Sequence, residues 1–317
     1  MKIRFGYVAT ALDLWNASPA KTITFKQYST LPKNERLDKL KHITAQNLHH
    51  TKRILHYNIA HEIELYRFSS SLAPLATHPD VMWDYITPFQ KDWKEIGQLI
   101  QNHKIRASFH PGQYTLFTSD KEKITVNAIK DITYHYRMLE AMNLHKASII
   151  NIHIGGAYGD KTSAIERFHE NLKKLPREMK KQITLENDDK TYNVEETLIA
   201  CEKENIPMIL DFHHHMANPT DTDLNDFLPR IYNTWSNSNT IPKVHLSSPK
   251  SQQAYRSHCD FVSINFILPF LKMAKDLNQD FDIMVEAKQK DLAMRRLVEE
   301  IASIRGVKRV TSSAVEW

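Results

Sequence analysis

Six apolar runs in this chain stop on a side chain able to hold a metal ion. Ile105 to Phe109 runs into His110, Ala147 to Ile152 into His153, and Ile183 to Leu185 into Glu186. Met208 to Leu210 meets Asp211 with His213, His214 and His215 behind it; Val244 and Leu246 flank His245; and Phe281 to Val285 ends at Glu286. Taken singly, each is an ordinary cap or surface residue, but six in succession form a constellation. Imidazole nitrogen and carboxylate oxygen without thiolate is the donor set of Mn²⁺, Zn²⁺, Fe²⁺ or Co²⁺. Three carboxylates offset at most three charges, so two divalent ions leave such a site positive and suited to a phosphodiester. Ions held there would polarise phosphorus, make hydroxide from bound water and stabilise the leaving oxygen.

Side chains alternate along a strand, so Asn151 shares the face of His153, Thr184 that of Glu186, and Lys243 that of His245. Lys243 would add positive charge. The same alternation puts His213, rather than His214, on the face of Asp211.

The elements that must position these residues follow from period. Ile3 to Val8 reads as a first strand. A long loop through Pro19 and Pro32 leads to a helix with Leu37, Leu40, Leu48, Leu55 and Ile59, and Ile63 to Phe68 is a second strand. Trp83, Ile86, Phe89, Trp93, Ile96 and Ile100 predict a helix before the third strand, Ile105 to Phe109. Ser119 can cap a helix whose apolar face includes Val126, Ile129, Ile132, Tyr136 and Leu139. Helices around Ile165 to Leu175 and Leu198 to Ile199, the latter opened by an Asn193–Glu196 capping box, separate the fourth, fifth and sixth strands. Leu224 to Trp235, Phe261 to Leu277 and Leu292 to Ile304 predict the last three helices. Eight strands alternating with helices, without a composition break, indicate one α/β domain over residues 1–317, a (β/α)₈ TIM barrel whose site stands at the C-terminal strand ends.

Composition narrows the rest. The 317 residues carry a formal charge of +5, a mild bias toward an anionic partner. The longest apolar run, Phe261 to Leu271, contains Ser, Asn and Pro and cannot span a bilayer. Two cysteines form no framework, and no signal-peptide pattern opens the chain, so a reduced cytoplasmic setting is expected. No phosphate loop or dinucleotide fingerprint appears, so no nucleotide cofactor is expected. Gly112, Gly155, Gly156 and Gly159, four of only seven glycines, follow the third and fourth strands and suggest close backbone approach there.

At HPGQYTLFTS (110–119), NIHIGGAYG (151–159), LENDD (185–189), LDFHHH (210–215), KVHLSSPK (243–250) and VEAKQKD (285–291) the chain resembles the UV damage endonuclease family, in order and spacing along almost its whole length. The resemblance implies a barrel related to endonuclease IV and the sugar isomerases. It implies nicking of duplex DNA immediately 5′ to cyclobutane dimers and 6-4 photoproducts, with 3′-hydroxyl and 5′-phosphate products. It further implies a monomer with up to three divalent ions, manganese foremost and zinc or cobalt next. The ligands carried over are His110, His153, Glu186, Asp211, His214, His245, His258 and Glu286, with Glu186 and Asp211 bridging. Here the family pattern points to His214 where alternation points to His213. Lys243, a lysine open to chemical modification in the family, joins Glu186 and Glu286 as catalytic. Gln113 and Tyr114 would probe the duplex where the damaged dinucleotide flips out, with Tyr7 and His78 lining the lesion pocket. The rival readings are an abasic-site endonuclease of the endonuclease IV type and a sugar isomerase or epimerase on the same barrel.

Overall fold

The computed structural model describes residues 1–317 apart from Asn239. Eight parallel strands close on one another: β1 (Lys2–Val8), β2 (Leu65–Arg67), β3 (Arg106–Phe109), β4 (Ile149–His153), β5 (Ile183–Glu186), β6 (Met208–Asp211), β7 (Lys243–Leu246) and β8 (Phe281–Val285). Closure is made by β1, which pairs in parallel with β8 through Ile3–Tyr7 and with β2 through Gly6–Val8. The (β/α)₈ expectation is met.

A feature absent from the sequence reading explains the brevity of β2. A C-terminal hairpin of β9 (Lys308–Thr311) and β10 (Ala314–Glu316) adds antiparallel to Lys2–Arg4, occupying the lower half of the β1 edge and leaving only its upper half to β2. At Gly6 the two strands approach so closely that a Cβ would lie 2.2 Å from the Leu65 carbonyl oxygen.

Outside the barrel stand α1 (Phe25–Thr30), α2 (Arg36–Ala60), α3 (Gln90–Asn102), α4 (Glu122–Ala141), α5 (Lys161–Leu172), α6 (Arg177–Lys180), α7 (Val194–Glu204), α8 (Phe212–Ala217), α9 (Leu224–Asn233), α10 (Ile264–Leu277) and α11 (Lys290–Ala302). The Asn193–Glu196 capping box opens α7 as its spacing predicts, and left-handed Asn205 closes it, turning the chain into β6. Ile3, Phe5 and Tyr7 face the helices and are fully buried, whereas the intervening Arg4 points into the barrel. Strands so enclosed read as nearly continuous apolar runs because both faces are covered.

Several boundaries differ from expectation. Trp83 and Ile86 lie in an irregular segment before α3; Trp83 is buried and its indole donates to the Pro74 carbonyl, so a packed loop imitates helical period. Ser119 does not cap α4, whose N-cap is Lys121; the Ser119 hydroxyl accepts from the Lys121 amide instead, and Val126 faces solvent. The helix expected from Phe261 begins at Ile264, and the last one spans Lys290–Ala302 rather than 292–304. No helix among the described residues is long and apolar enough to cross a membrane. Cys201 and Cys259 are buried and unbridged.

Candidate metal centre

The inward positions of the strand ends converge above the barrel. His153 and Glu186 are register partners on β4 and β5, and Asp211 and His245 on β6 and β7. Glu186 is the hub: its Oε2 lies 3.1 Å from His110 Nε2 and 3.1 Å from His245 Nδ1, and its Oε1 lies 3.5 Å from His214 Nδ1. Glu286 reaches the same histidine, with Oε1 3.1 Å from His245 Nδ1. Two donor groups result, His110–Glu186–His245–Glu286 and His153–Glu186–His214, each with its ligand atoms within 4.8 Å of one another. Sharing Glu186 makes it the bridging candidate.

Asp211 and His258 stand at the edge. Asp211 Oδ2 is 3.8 Å from His214 Nδ1, and His258 Nδ1 is 3.8 Å from Glu286 Oε2. The donor set fits divalent ions on local evidence. Glu186 Oε1, Asp211 Oδ2 and His153 Nδ1 are buried without a hydrogen-bond partner among the described residues, a costly condition that a cation relieves.

Local structure separates His213 from His214. The strand ends at Asp211, whose carboxylate caps α8 by accepting from the His214 amide at 2.8 Å. Alternation therefore stops, and a helical offset of three brings His214 back over Asp211. His213 is fully buried, with Nε2 2.6 Å from the Tyr255 carbonyl oxygen.

The carboxylates also set protonation. Burial is the largest influence on His214 and His245 and would lower both, yet the nearby Asp211, Glu186 and Glu286 for the first, and Glu186 and Glu286 for the second, lift each to about 9. His110 goes the other way, to about 4, because burial outweighs Glu186. Glu186 and Glu286 lie well below the usual carboxylate range: burial opposes this, but the surrounding histidines and, for Glu286, Arg67 prevail. Asp211 is shifted up, chiefly by burial.

Supporting residues lie one layer out. Asn151 donates to Glu186 Oε2 and accepts from Thr184 Oγ1 at 2.9 Å, so the inward faces of β4 and β5 orient the hub. Asn187 extends the β5–β6 ladder with its side chain, accepting from the Asp211 amide and donating to the Asp211 carbonyl, both at 2.9 Å.

Lys243 is within the barrel but does not join either donor group. It is 1% exposed and donates to Ser108 Oγ at 3.1 Å. Burial, reinforced by Arg106, Arg67 and Arg4 and opposed by Asp282, holds it well below the ordinary lysine value. Tyr7 is fully buried, and its hydroxyl donates to Asn58 Oδ1 on α2 at 2.6 Å, between strand and helix. His78 belongs to the loop after β2, where it stacks on Phe25 at 4.0 Å, and its nearest carboxylate is Asp80 rather than one of the cluster. Gln113 and Tyr114 are exposed at the tip of the β3–α4 loop, Tyr114 by 81%. Among the glycines after β3 and β4, Gly155 (φ +127°) and Gly159 (φ +83°) occupy conformations that favour glycine.

Arg67, at the end of β2, escaped the sequence reading although its NH1 pairs with Glu286 Oε1. Its signal in the sequence is a cation at the end of a strand, the position that His153 and Glu186 occupy on β4 and β5.

The family match runs over residues 3–317 and is described as UV-endonuclease UvdE. The chain belongs to this family. Proteins called UV DNA damage endonuclease from Bacillus cereus (strain 03BB102) and Bacillus mycoides (strain KBAB4) are each 59% identical to it over 317 residues, covering 100% of both chains. The crystal structure of SacUVDE superposes with a TM-score of 0.85 at 30% identity, covering 95% of this chain and 99% of that one. Endonuclease IV from Thermus thermophilus (TM-score 0.55, 12% identity, covering 94% and 99%) shares the fold alone.

Proposed function

We propose that this UvdE-family chain is a metal-dependent DNA repair endonuclease that nicks duplex DNA immediately 5′ to cyclobutane dimers and 6-4 photoproducts, leaving 3′-hydroxyl and 5′-phosphate ends. The observation that carries this reading is the Glu186-centred cluster in a chain 59% identical along its whole length to proteins called UV DNA damage endonuclease. The working form is a one-domain cytoplasmic monomer, with Mn²⁺ ahead of Zn²⁺ and Co²⁺ and up to three ions.

His110, His153, Glu186, Asp211, His214, His245, His258 and Glu286 would hold the ions. Bound divalent ions supply Lewis acidity toward a phosphodiester and a lowered pKa for water. The chain's own contribution is orientation: Asn151 and Thr184 fix Glu186, Asn187 fixes the Asp211 backbone, and Arg67 and His245 fix Glu286. Lys243, which donates to Ser108 Oγ from within the barrel, would act with Glu186 and Glu286 in catalysis. Gln113 and Tyr114, exposed at a loop tip on the same barrel end, suit insertion into a duplex: the ring replaces lost stacking and the amide meets exposed base edges.

With Mn²⁺ present, an ultraviolet-irradiated duplex is expected to be cut beside the photoproduct, and its undamaged twin to remain intact. Glu186→Gln is expected to abolish the cut while irradiated DNA is still bound. An irradiated duplex left whole by the native protein refutes the reading.

A further inference from the structure

Arg67 does more than its partnership with Glu286 requires. A guanidinium offers five N–H donors in a planar fork matched to carboxylate or phosphate. Only NH1 is engaged, while Nε and NH2 have no hydrogen bond to any described residue. The side chain is 13% exposed, open enough to reach a ligand yet largely screened from water, where a charge-assisted hydrogen bond gains strength. β2 places it on the cluster's own rim: Arg67 pairs in register with Val8 and with Ser108, two residues before His110.

A second cation comes from a different element. Lys290, the first residue of α11, is half-buried, forms no ion pair within 4 Å among the described residues, and lies four residues beyond Glu286. Its backbone is left-handed (φ 45°), a conformation lysine does not favour and which the fold nevertheless maintains here. Burial, and after it Arg67, lower its pKa from the ordinary lysine value, and Glu286 opposes them. Arg67 pairs with Glu286, whose oxygens a divalent ion would draw upon, and Lys290 opens the helix four residues after that carboxylate. Three carboxylates against two ions and two cationic side chains leave the rim net positive, an arrangement that calls for an anion.

We propose that Arg67 and Lys290 form a phosphate-binding subsite beside the histidine–carboxylate cluster, in which the free Nε and NH2 of Arg67 and the Lys290 ammonium take the non-bridging oxygens of a DNA backbone phosphate. The subsite rests on the nuclease reading for the identity of its anion. Its role is to fix the strand against the cluster, with Arg67 donating to the oxygens on which charge builds as the phosphodiester is cleaved.

The test uses undamaged duplex, which the proposed activity leaves intact, bound to the full-length Mn²⁺-loaded protein across a salt series. Each neutralised phosphate contributes about 0.9 to the slope of log K against log salt, so Arg67→Gln and Lys290→Gln are each expected to flatten the slope by about one. Mn²⁺ affinity should be unchanged in Lys290→Gln, and Arg67→Gln should slow nicking of irradiated duplex by about 10²-fold. A weakened Mn²⁺ affinity with an unaltered slope would mean that Arg67 only orients Glu286, and the subsite is overturned. If Arg67→Gln does not fold, the slope of Lys290→Gln decides. A native protein that fails to nick irradiated DNA, while both variants lose their salt increment, rejects the ultraviolet-repair reading and leaves the subsite standing; nicking with unaltered slopes does the reverse.

Discussion

His213 and His214 are adjacent in sequence and opposite in consequence. The first spends a ring nitrogen on the Tyr255 carbonyl in a fully buried position; the second lies over Asp211 and Glu186. His214→Ala is expected to weaken Mn²⁺ binding at least about tenfold with little change in folding. His213→Ala should leave Mn²⁺ affinity alone but cost about 1 kcal/mol by stranding a part-buried carbonyl. Calorimetric titration and denaturant melts separate the two. Protonation gives a second expectation. Without metal, His214 and His245 titrate near 9, above the unfolded value of 6.5. Their stabilising pairing with the carboxylates is therefore complete below about pH 6.5 and is lost as pH rises through about 9. Metal needs neutral imidazole, so Mn²⁺ binding at neutral pH should release protons from these two histidines and none from His110, which is already neutral. In chelator the melting temperature should drop between about pH 7 and pH 10, and the gain on adding Mn²⁺ should widen over that interval.

The β3–α4 loop joins a free tip to an anchored base. Thr115 donates to Asp131 on α4, Arg167 Nε donates to the Thr118 carbonyl at 2.8 Å, and Asn171 donates to the Phe117 carbonyl at 2.9 Å, both from α5. The β4 loop docks on the same base, since a Cβ at Gly155 would lie 2.5 Å from Thr118 Oγ1. Asn171→Leu is expected to free the base, so that discrimination between irradiated and undamaged duplex falls while Mn²⁺ affinity holds; paired binding measurements on the two duplexes check it. Gly155→Ala combines that clash with a strained φ and should cost about 1–3 kcal/mol in a denaturant melt. Such anchoring could not be read from sequence, because Asp131, Arg167 and Asn171 are ordinary polar helix residues until the helices place them. The strand ends were legible, since runs buried on both faces stop where the chain meets the rim. The orientation of Tyr7 was legible too: Arg4 inward makes Ile3, Phe5 and Tyr7 the outward face. For His214, period was informative only as far as Asp211, where the strand gives way to α8.

Across the whole barrel, polar side chains gather at both ends of the interior, and the two ends perform different tasks. Opposite the histidine–carboxylate rim, Asp282 is fully buried and bound by cations from two other strands: Arg4 Nε at 2.7 Å and NH2 at 2.9 Å, and Arg106 NH1 at 2.6 Å from across the barrel. Arg106 is further held by the Ile241 carbonyl at 2.9 Å and lies over the Trp235 ring at 5.1 Å. Lys243, register partner of Asp282, fills the level between this floor and the rim. A carboxylate shared by β1, β3 and β8 thus ties together the strands on both sides of the closure. Removing one member of a buried ion pair leaves the others uncompensated, which costs about 3–5 kcal/mol. Asp282→Asn is accordingly expected to lower unfolding free energy by that amount. The loss should fall on the closure itself, so variant protein that remains folded at low temperature should bind Mn²⁺ with native stoichiometry. Denaturant melts and metal titration on the same samples test both halves: a native melt would remove the floor from the account of barrel closure, and a lost ion would mean that floor and rim are one coupled unit.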